Sequence, residues 1–266
     1  MVFVWWDDST ASKSLIRLLD RLPRTPQINY RVVVVGQRGS VSLGSDLADS
    51  VSTIGGDNSL REFSGYELGL AATDDADLWV LANDRWDAAP IPEDVLTVER
   101  ILVTHALGAA SGLVDSMGTP LTLFGATASS WLRSCLILLS ATSQRAIGPL
   151  VSFDTDAQAK LLPTKFSEAA VSGVRREVGS AYFDAVCAYL DGTAASGSVW
   201  YDRTAPNEHD WQNFRGKFTS ILNEALLSQR LRAAAVPILH GTKPVSRYFR
   251  LLEPIVRQRR QLWHPR

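Results

Sequence analysis

The sequence predicts an α/β protein built on a mostly parallel central sheet flanked by helices, with a C-terminal helical extension. Three observations carry this. Short β-rich runs alternate with helical patterns through the first third of the chain, an order that favours crossover units over a meander. "RVVVVG" at 31–36 is continuously β-branched at its core, as strands covered on both faces are, which places it at the sheet's centre. Two long amphipathic patterns, at 168–190 and 207–234, provide covering helices.

Taken in order, "VFVWW" reads as the first strand. A helix over Ser9 to Leu22 follows, with Leu15, Ile16, Leu18, Leu19 and Leu22 on its apolar side and Pro23 stopping it. After "RVVVVG" the segment "GQRGS" must turn, "VSTIGG" reads as a third strand, Leu60 to Ala72 as a helix and "DLWVLAN" as a fourth strand. Between Trp86 and Thr127, "ILVTHAL" and "TPLTLFGAT" read as strands, while "SWLRSCLILLS" suits a strand or a buried helix, because a short apolar run does not decide. The 168–190 helix puts Val171, Val174, Val178, Tyr182, Ala185, Val186 and Tyr189 on one face and ends at Gly192. Asn207 caps the 207–234 helix, whose stripe is Trp211, Phe214, Phe218, Ile221, Leu222 and Ala225.

Composition narrows the functions. A net charge of -1 gives no electrostatic case for nucleic acid. Cys135 and Cys187 form neither a metal quartet nor a disulfide framework, and the start "MVFVWWDDS" lacks the features of an export signal, so a cytoplasmic setting is expected. "CLILLSA" is far shorter than the ~20 residues a membrane-spanning helix needs.

Candidate chemistry begins at "ADLWVLANDRW", where a buried-type strand runs directly into Asn83 and Asp84. The carboxyl ends of strands in open α/β sheets are ligand sites, and a carboxylate there can hold a divalent ion on diphosphate oxygens; an Asx-turn residue closing the strand is the plainer alternative. Glu224 borders the apolar stripe of its helix, either as a general base in a cleft or as a solvated flank. "VVVVGQRGS" lacks the GxGxxG spacing of a dinucleotide fingerprint. His105, His240 and His264 show no ligand spacing, and "NEHD" at 207–210 suits helix capping better than metal binding.

Taken together these stretches resemble the family 2 glycosyltransferases of the GT-A fold, a Rossmann-like architecture. "VVVVGQRGS" is similar to that family's first strand and turn, with Gln37 at the usual acid. "GGDNSLREFSGYELGLA" resembles its Asn segment at Asn58, and "WVLANDRW" its metal-carrying strand, with Arg85 in place of the second acid. "SSWLRSCLILLS" with "AIGPLVSF" resembles the acceptor-side strand and glycine turn, and "LNEALLSQRL" the final helix motif, with Asn223 and Glu224 on its acid pair, Leu226 where a further acid is usual, and Arg230 on its arginine. The likeness spans about residues 2 to 232, in order.

The resemblance implies inverting transfer of a sugar from a nucleotide-sugar donor to a glycan or lipid-linked acceptor in polysaccharide biosynthesis. It makes Glu224 the catalytic base, Asp84 the ligand of Mg²⁺ or Mn²⁺, and Trp6, Asp7, Gln37, Asn58, Asn83 and Arg85 further donor-binding residues. Trp131 and Arg133 would bind acceptor or phosphate. It divides residues 1–236 into a nucleotide-sugar half, 1–85, and an acceptor-side half, 86–236. The C-terminal extension, 237–266, carries from Arg247 onward a basic, aromatic segment that reads first as a helix packed on its own domain or on a second subunit as a homodimer, and otherwise as a peripheral membrane contact at the inner face. Because positions 37, 85 and 226 depart from the family pattern, a catalytically impaired binding or assembly subunit is the first alternative, and an unrelated α/β nucleotide-binding enzyme the second.

Overall fold

The computed structural model describes residues 1–6, 8–26, 28–38, 41, 43, 51–88, 93–194, 203–244, 246 and 248. Strands β1 (Val2–Trp5), β2 (Val32–Gly36), β3 (Val51–Gly55) and β4 (Leu78–Asn83) run parallel to one another. β6 (Ala126–Ser140) runs against β4, β5 (Ala110–Leu123) against β6, and β7 (Ile238–His240) runs with β5. Among the described residues the sheet order is β3-β2-β1-β4-β6-β5-β7, with β6 opposed to the rest. This is an α/β fold with a mostly parallel mixed sheet flanked by helices. β2 is buried along its whole length, as its β-branched run requires, but the middle strand is β4; β2 lies between β3 and β1. β7 belongs to the 237–266 segment, so the extension begins by adding a strand to the sheet.

Alternation along the strands builds the two faces. Val2, Val4, Val33 and Val35 point to one side, against Phe63, Tyr66 and Leu70 of α2 (Glu62–Ala71), together with Leu227 and Leu231 of α8 (Trp211–Ala233). Phe3, Trp5, Val32 and Val34 point to the other, against Leu15 and Leu18 of α1 (Asp8–Arg21) and Ile101 of α3 (Val98–Ala106). Burying Leu15, Leu18 and Leu22 is worth on the order of 1.5–3 kcal/mol each. Ile16, expected on the same apolar side, is 44 % exposed, so the buried stripe is narrower than the run of leucines suggested.

Three local expectations are corrected. "ILVTHAL" is not a strand but most of α3, capped by Thr97, whose side chain accepts the Arg100 N–H; the run is too short for apolarity to separate strand from helix, and the cap decides. The 168–190 pattern is two helices, α6 (Glu168–Val178) and α7 (Ser180–Asp191), broken at Gly179. Gly179 has φ 99°, and a Cβ there would lie 2.5 Å from the Thr122 carbonyl oxygen, so only glycine fits between the helices and the hairpin. α8 starts at Trp211, four residues later than expected, because Asn207 uses its Oδ1 to accept the Asp210 N–H in the preceding turn. Two short helices, α4 (Ala141–Ile147) and α5 (Thr155–Leu161), follow β6, and "SWLRSCLILLS" is a strand, the body of β6. "TPLTLFGAT" holds the end of β5, a two-residue turn at Phe124 and Gly125, both at positive φ, and the start of β6.

The β5–β6 ladder contains the irregularity that shapes the site. Gly112 pairs with Ile137 and Val114 with Leu132, so a two-residue step on β5 faces a five-residue step on β6. Residues 133 to 136 bulge there, beside the end of β4, where Ala82 pairs with Leu136. Such bulges re-aim side chains that a regular ladder would hold flat.

Candidate functional site

Backbone hydrogen bonds carry the parallel ladders past the strand ends and bring them to one edge. Gln37 N–H donates to Trp5 O at 2.9 Å, Gly56 N–H to Gly36 O at 2.8 Å and Asp84 N–H to Val4 O at 3.2 Å. Such carboxyl edges are where open α/β sheets bind ligands.

The first group of side chains lies at the ends of β1 and β2 and in the turn after β3. Gln37 is buried; its Nε2 donates to Arg61 O and its Oε1 accepts the Asn58 N–H, each at 2.7 Å, so the amide ties β2 to the turn that leads into α2. That turn holds two non-glycine residues at positive φ, Asn58 at 55° and Arg61 at 54°, a conformation that costs energy and that functional sites often retain. Asn58 Oδ1 is buried and accepts no hydrogen bond among the described residues. The half-buried Trp6 ring meets two guanidinium groups, Arg61 at 5.2 Å and Arg38 at 5.6 Å from its centroid. A Cβ at Gly216 of α8 would stand 2.8 Å from Arg61 Nη1, which puts this cation between the aromatic ring and the long helix. Asp7 lies outside the described residues, as do Gly39 and Ser40 of the turn after β2.

The second group lies where β4, the β6 bulge, α2 and α8 meet. Asn83 closes β4 as an Asx turn, its Oδ1 accepting the Arg85 N–H at 3.0 Å. Asp84, next in the chain, is 2 % exposed, and Arg85 is half-buried. Glu224 is 5 % exposed, not a solvated flank; its Oε1 accepts both the N–H and the hydroxyl of Ser134, each at 2.6 Å. Burial pushes the Glu224 carboxyl up to about 7, against the pull of Arg133 and the two Ser134 hydrogen bonds, with Glu62 adding to the rise. Tyr66 donates to Ser134 O at 2.6 Å. Burial, then the negative groups Glu62, Cys135, Glu224 and Asp84, hold its phenol well above the usual value. Asp84 and Glu224, far apart in the chain, therefore act on one buried phenol.

Arg133 stands on the bulge, 3.9 Å from Asp115. Burial opposes its charge, but Cys135, Glu224, Tyr189 and Asp115 hold its pKa above the ordinary guanidinium value. Trp131 is 5 % exposed and packs in the cluster formed with α6, α7 and α8, so its ring is committed to the core. Asn223 fastens the segment after the glycine turn: Oδ1 accepts the Ser152 and Phe153 N–H groups at 2.9 and 2.8 Å, and Nδ2 donates to Phe153 O at 3.1 Å. Arg230 donates to the carbonyls of Ile147 and Leu150 at 3.0 and 2.7 Å, closing the end of α4.

Sequence reasoning missed Glu62, Tyr66, Ser134, Arg38 and Arg61. The one signal available was the four-residue spacing of Glu62 and Tyr66 on a helix face that also carries Phe63 and Leu70. Among the described residues no three His, Cys, Asp or Glu side chains group as a metal site. Also among the described residues, no helix is long and apolar enough to cross a membrane. Chemically, the edge offers an acid poised to exchange a proton near neutrality, a second buried carboxylate, and a pair of cations on an aromatic ring. Compared with family models, curated proteins and solved structures, the chain matches none.

Proposed function

We propose that this chain is an inverting, GT-A-type glycosyltransferase that moves a sugar from a nucleotide-sugar donor to a glycan or lipid-linked acceptor. The observation that supports the reading is the buried Glu224 carboxyl held by Ser134 on the β6 bulge, with Tyr66 on the Ser134 carbonyl and a second buried carboxylate, Asp84, at the end of β4. In the reaction the acceptor oxygen attacks the anomeric carbon, the bond to the diphosphate oxygen breaks with its electron pair leaving on the diphosphate, and Glu224 takes the acceptor's proton. A carboxyl whose pKa is about 7 suits that task at neutral pH. Arg38 and Arg61 offset the charge that grows on the diphosphate, Trp6 offers its ring to the nucleotide, and Asn58 Oδ1 supplies an acceptor for a ribose or base donor group. Asp84 would be the carboxylate to hold a divalent ion, which would offset part of the diphosphate charge.

A thermal-shift screen with UDP-, GDP-, dTDP- and CDP-sugars, with and without Mn²⁺, followed by transfer assays, tests this. Glu224→Gln is expected to abolish transfer with donor stabilisation retained, and Asp84→Ala to weaken donor stabilisation mainly when Mn²⁺ is present. Full turnover by the Gln variant removes Glu224 as base. Wild-type activity indifferent to chelation leaves the diphosphate to the arginines. The internal hydrogen bonds that occupy the amides of Gln37 and Asn83 favour one second reading, a catalytically impaired donor-binding subunit. Donor stabilisation without transfer over a wide acceptor panel would select it, and a response to NAD(P) alone would exclude both.

A further inference from the structure

Ser134 is the centre of a three-member chain. Its Oγ stands 2.6 Å from Glu224 Oε1 and also 2.6 Å from Glu62 Oε1. A serine hydroxyl carries one hydrogen, so it can donate to only one of these carboxyl oxygens at a time. The second short contact is a hydrogen bond only when the other carboxyl carries a proton and donates to Oγ. A hydroxyl held between two carboxyls can take a proton from one as it gives its own to the other. Ser220 donates to Glu62 Oε2 at 3.3 Å, steering that carboxyl toward Ser134, and Glu62 is half-buried where Glu224 is almost wholly enclosed.

We infer that Glu62 is the proton outlet of Glu224, joined to it through the Ser134 hydroxyl. The inference rests on the base role proposed for Glu224. Glu62 touches no reacting atom in this scheme; it is a positioning residue that acts through Glu224. The acceptor's proton arrives on the Glu224 carboxylate. Glu224 then passes a proton to Ser134 Oγ while the hydroxyl's own hydrogen moves to Glu62, and Glu62 releases it to water. The cycle leaves both carboxylates and the hydroxyl as they began, with one proton taken from the acceptor and one delivered to solvent.

Other charged and titratable groups face Glu224. Arg133 and Cys135 come from β6, with Asp115 of β5 beside Arg133; Tyr66 comes from α2, and Tyr182 and Tyr189 from α7. Among the described residues, Glu62 and Glu224 are the carboxyl partners of the Ser134 hydroxyl.

The test is a pH titration of the full chain, labelled with ¹³C at the glutamate side-chain carboxyl and read by NMR, needing neither donor nor acceptor. In the wild type, the Glu224 signal should show both apparent midpoints of a coupled group. In Glu62→Gln the Glu224 signal should follow a single step, moved to lower pH through loss of the like charge. In Ser134→Ala the Glu224 signal should lose the second midpoint. A single-step Glu224 titration in the wild type, or a Glu224 curve unchanged by Glu62→Gln, overturns the outlet. The wild-type measurement needs no variant to fold. Coupled titration in a protein that transfers no sugar would count against the proposed reaction and not against the shared proton; uncoupled titration in an active enzyme would do the reverse.

Discussion

Gly112 faces the carbonyl oxygen of Leu136 so closely that a Cβ built on it would stand 2.5 Å away, and the Leu132 side chain would lie at 3.0 Å. The approach follows from the β6 bulge, which turns this stretch of backbone toward β5 and, in the same movement, sets Arg133 and Ser134 toward α8. Gly112→Ala is therefore expected to destabilise the fold by about 1–3 kcal/mol, because a backbone carbonyl in a paired strand has little room to yield. Its effect should spread to the site. Denaturant unfolding of the variant checks the first part, and the Glu224 carboxyl titration checks the second. A variant as stable as the parent would show that the ladder relaxes freely here.

Asn223 shows a different dependence. Its one amide satisfies two backbone donors and one acceptor in the segment 152–153, anchoring the chain after α4 to the long helix that also presents Glu224. Asn223→Ala leaves these groups unpaired in a buried place, at a cost of about 1–3 kcal/mol for each one that finds no water. The expected outcome is lower stability with amide hydrogen exchange accelerated at Ser152 and Phe153. Asn223→Asp should fall between, since its carboxylate still accepts from both N–H groups while the donor to Phe153 O is lost and a charge is buried. Unchanged exchange in the alanine variant would mean the loop is held by other contacts.

Most of the sheet was legible because β-branched runs and strand-end polar residues are local signals. "VFVWW", "RVVVVG", "VSTIGG" and "DLWVLAN" are all strands, and the stripe from Trp211 to Ala225 is buried throughout. What failed was decided by single contacts. Thr97 turned an apolar run into α3, and Gly179 cut one amphipathic pattern in two. At the site, Asp84 and Glu224 could be picked out as acids beside apolar stretches, and both are buried at the carboxyl edge. Ser134 could not, because nothing in "WLRSCLILLS" marks the serine as the link between two glutamates; only the bulge, a relation between β5 and β6, gives it that place. Trp131 illustrates the converse, an aromatic read as a binding residue whose ring packs in the core.

Arg100 is fully buried on α3 and donates to the carbonyls of His240 at 3.3 Å and Lys243 at 2.7 Å. It thereby fastens the chain that follows β7, the start of the extension, to the sheet's flank. A methionine at this position keeps much of the length and apolar stem but none of the donors. Arg100→Met should leave β1 to β4 protected in hydrogen exchange while protection falls at residues 238–243, the strand and turn that depend on it. Equal loss of protection in β1 and β7 would show that the arginine supports the whole core and has no selective hold on this segment.

Glu224 links stability to pH in a direction opposite to the usual carboxylate. Its folded-state value, about 7, lies above the ordinary 4.5, so the folded protein keeps this proton over a range in which the unfolded chain has lost it. The folded state binds more protons between those limits, and stability from this group therefore falls as pH rises from about 4.5 to 7. Below that window both states are protonated and the group contributes no penalty; above it both are ionised and the penalty is complete, of the order of 3 kcal/mol. Glu224→Gln keeps an acceptor for Ser134 and removes the titration. The variant should gain on the wild type progressively between about pH 4.5 and 7, the gap in urea midpoint widening across that range and levelling outside it. Parallel wild-type and variant curves would mean that Glu224 ionises at its ordinary value and that burial does not hold its proton, which would also remove the neutral-pH basicity on which the proposed base role rests.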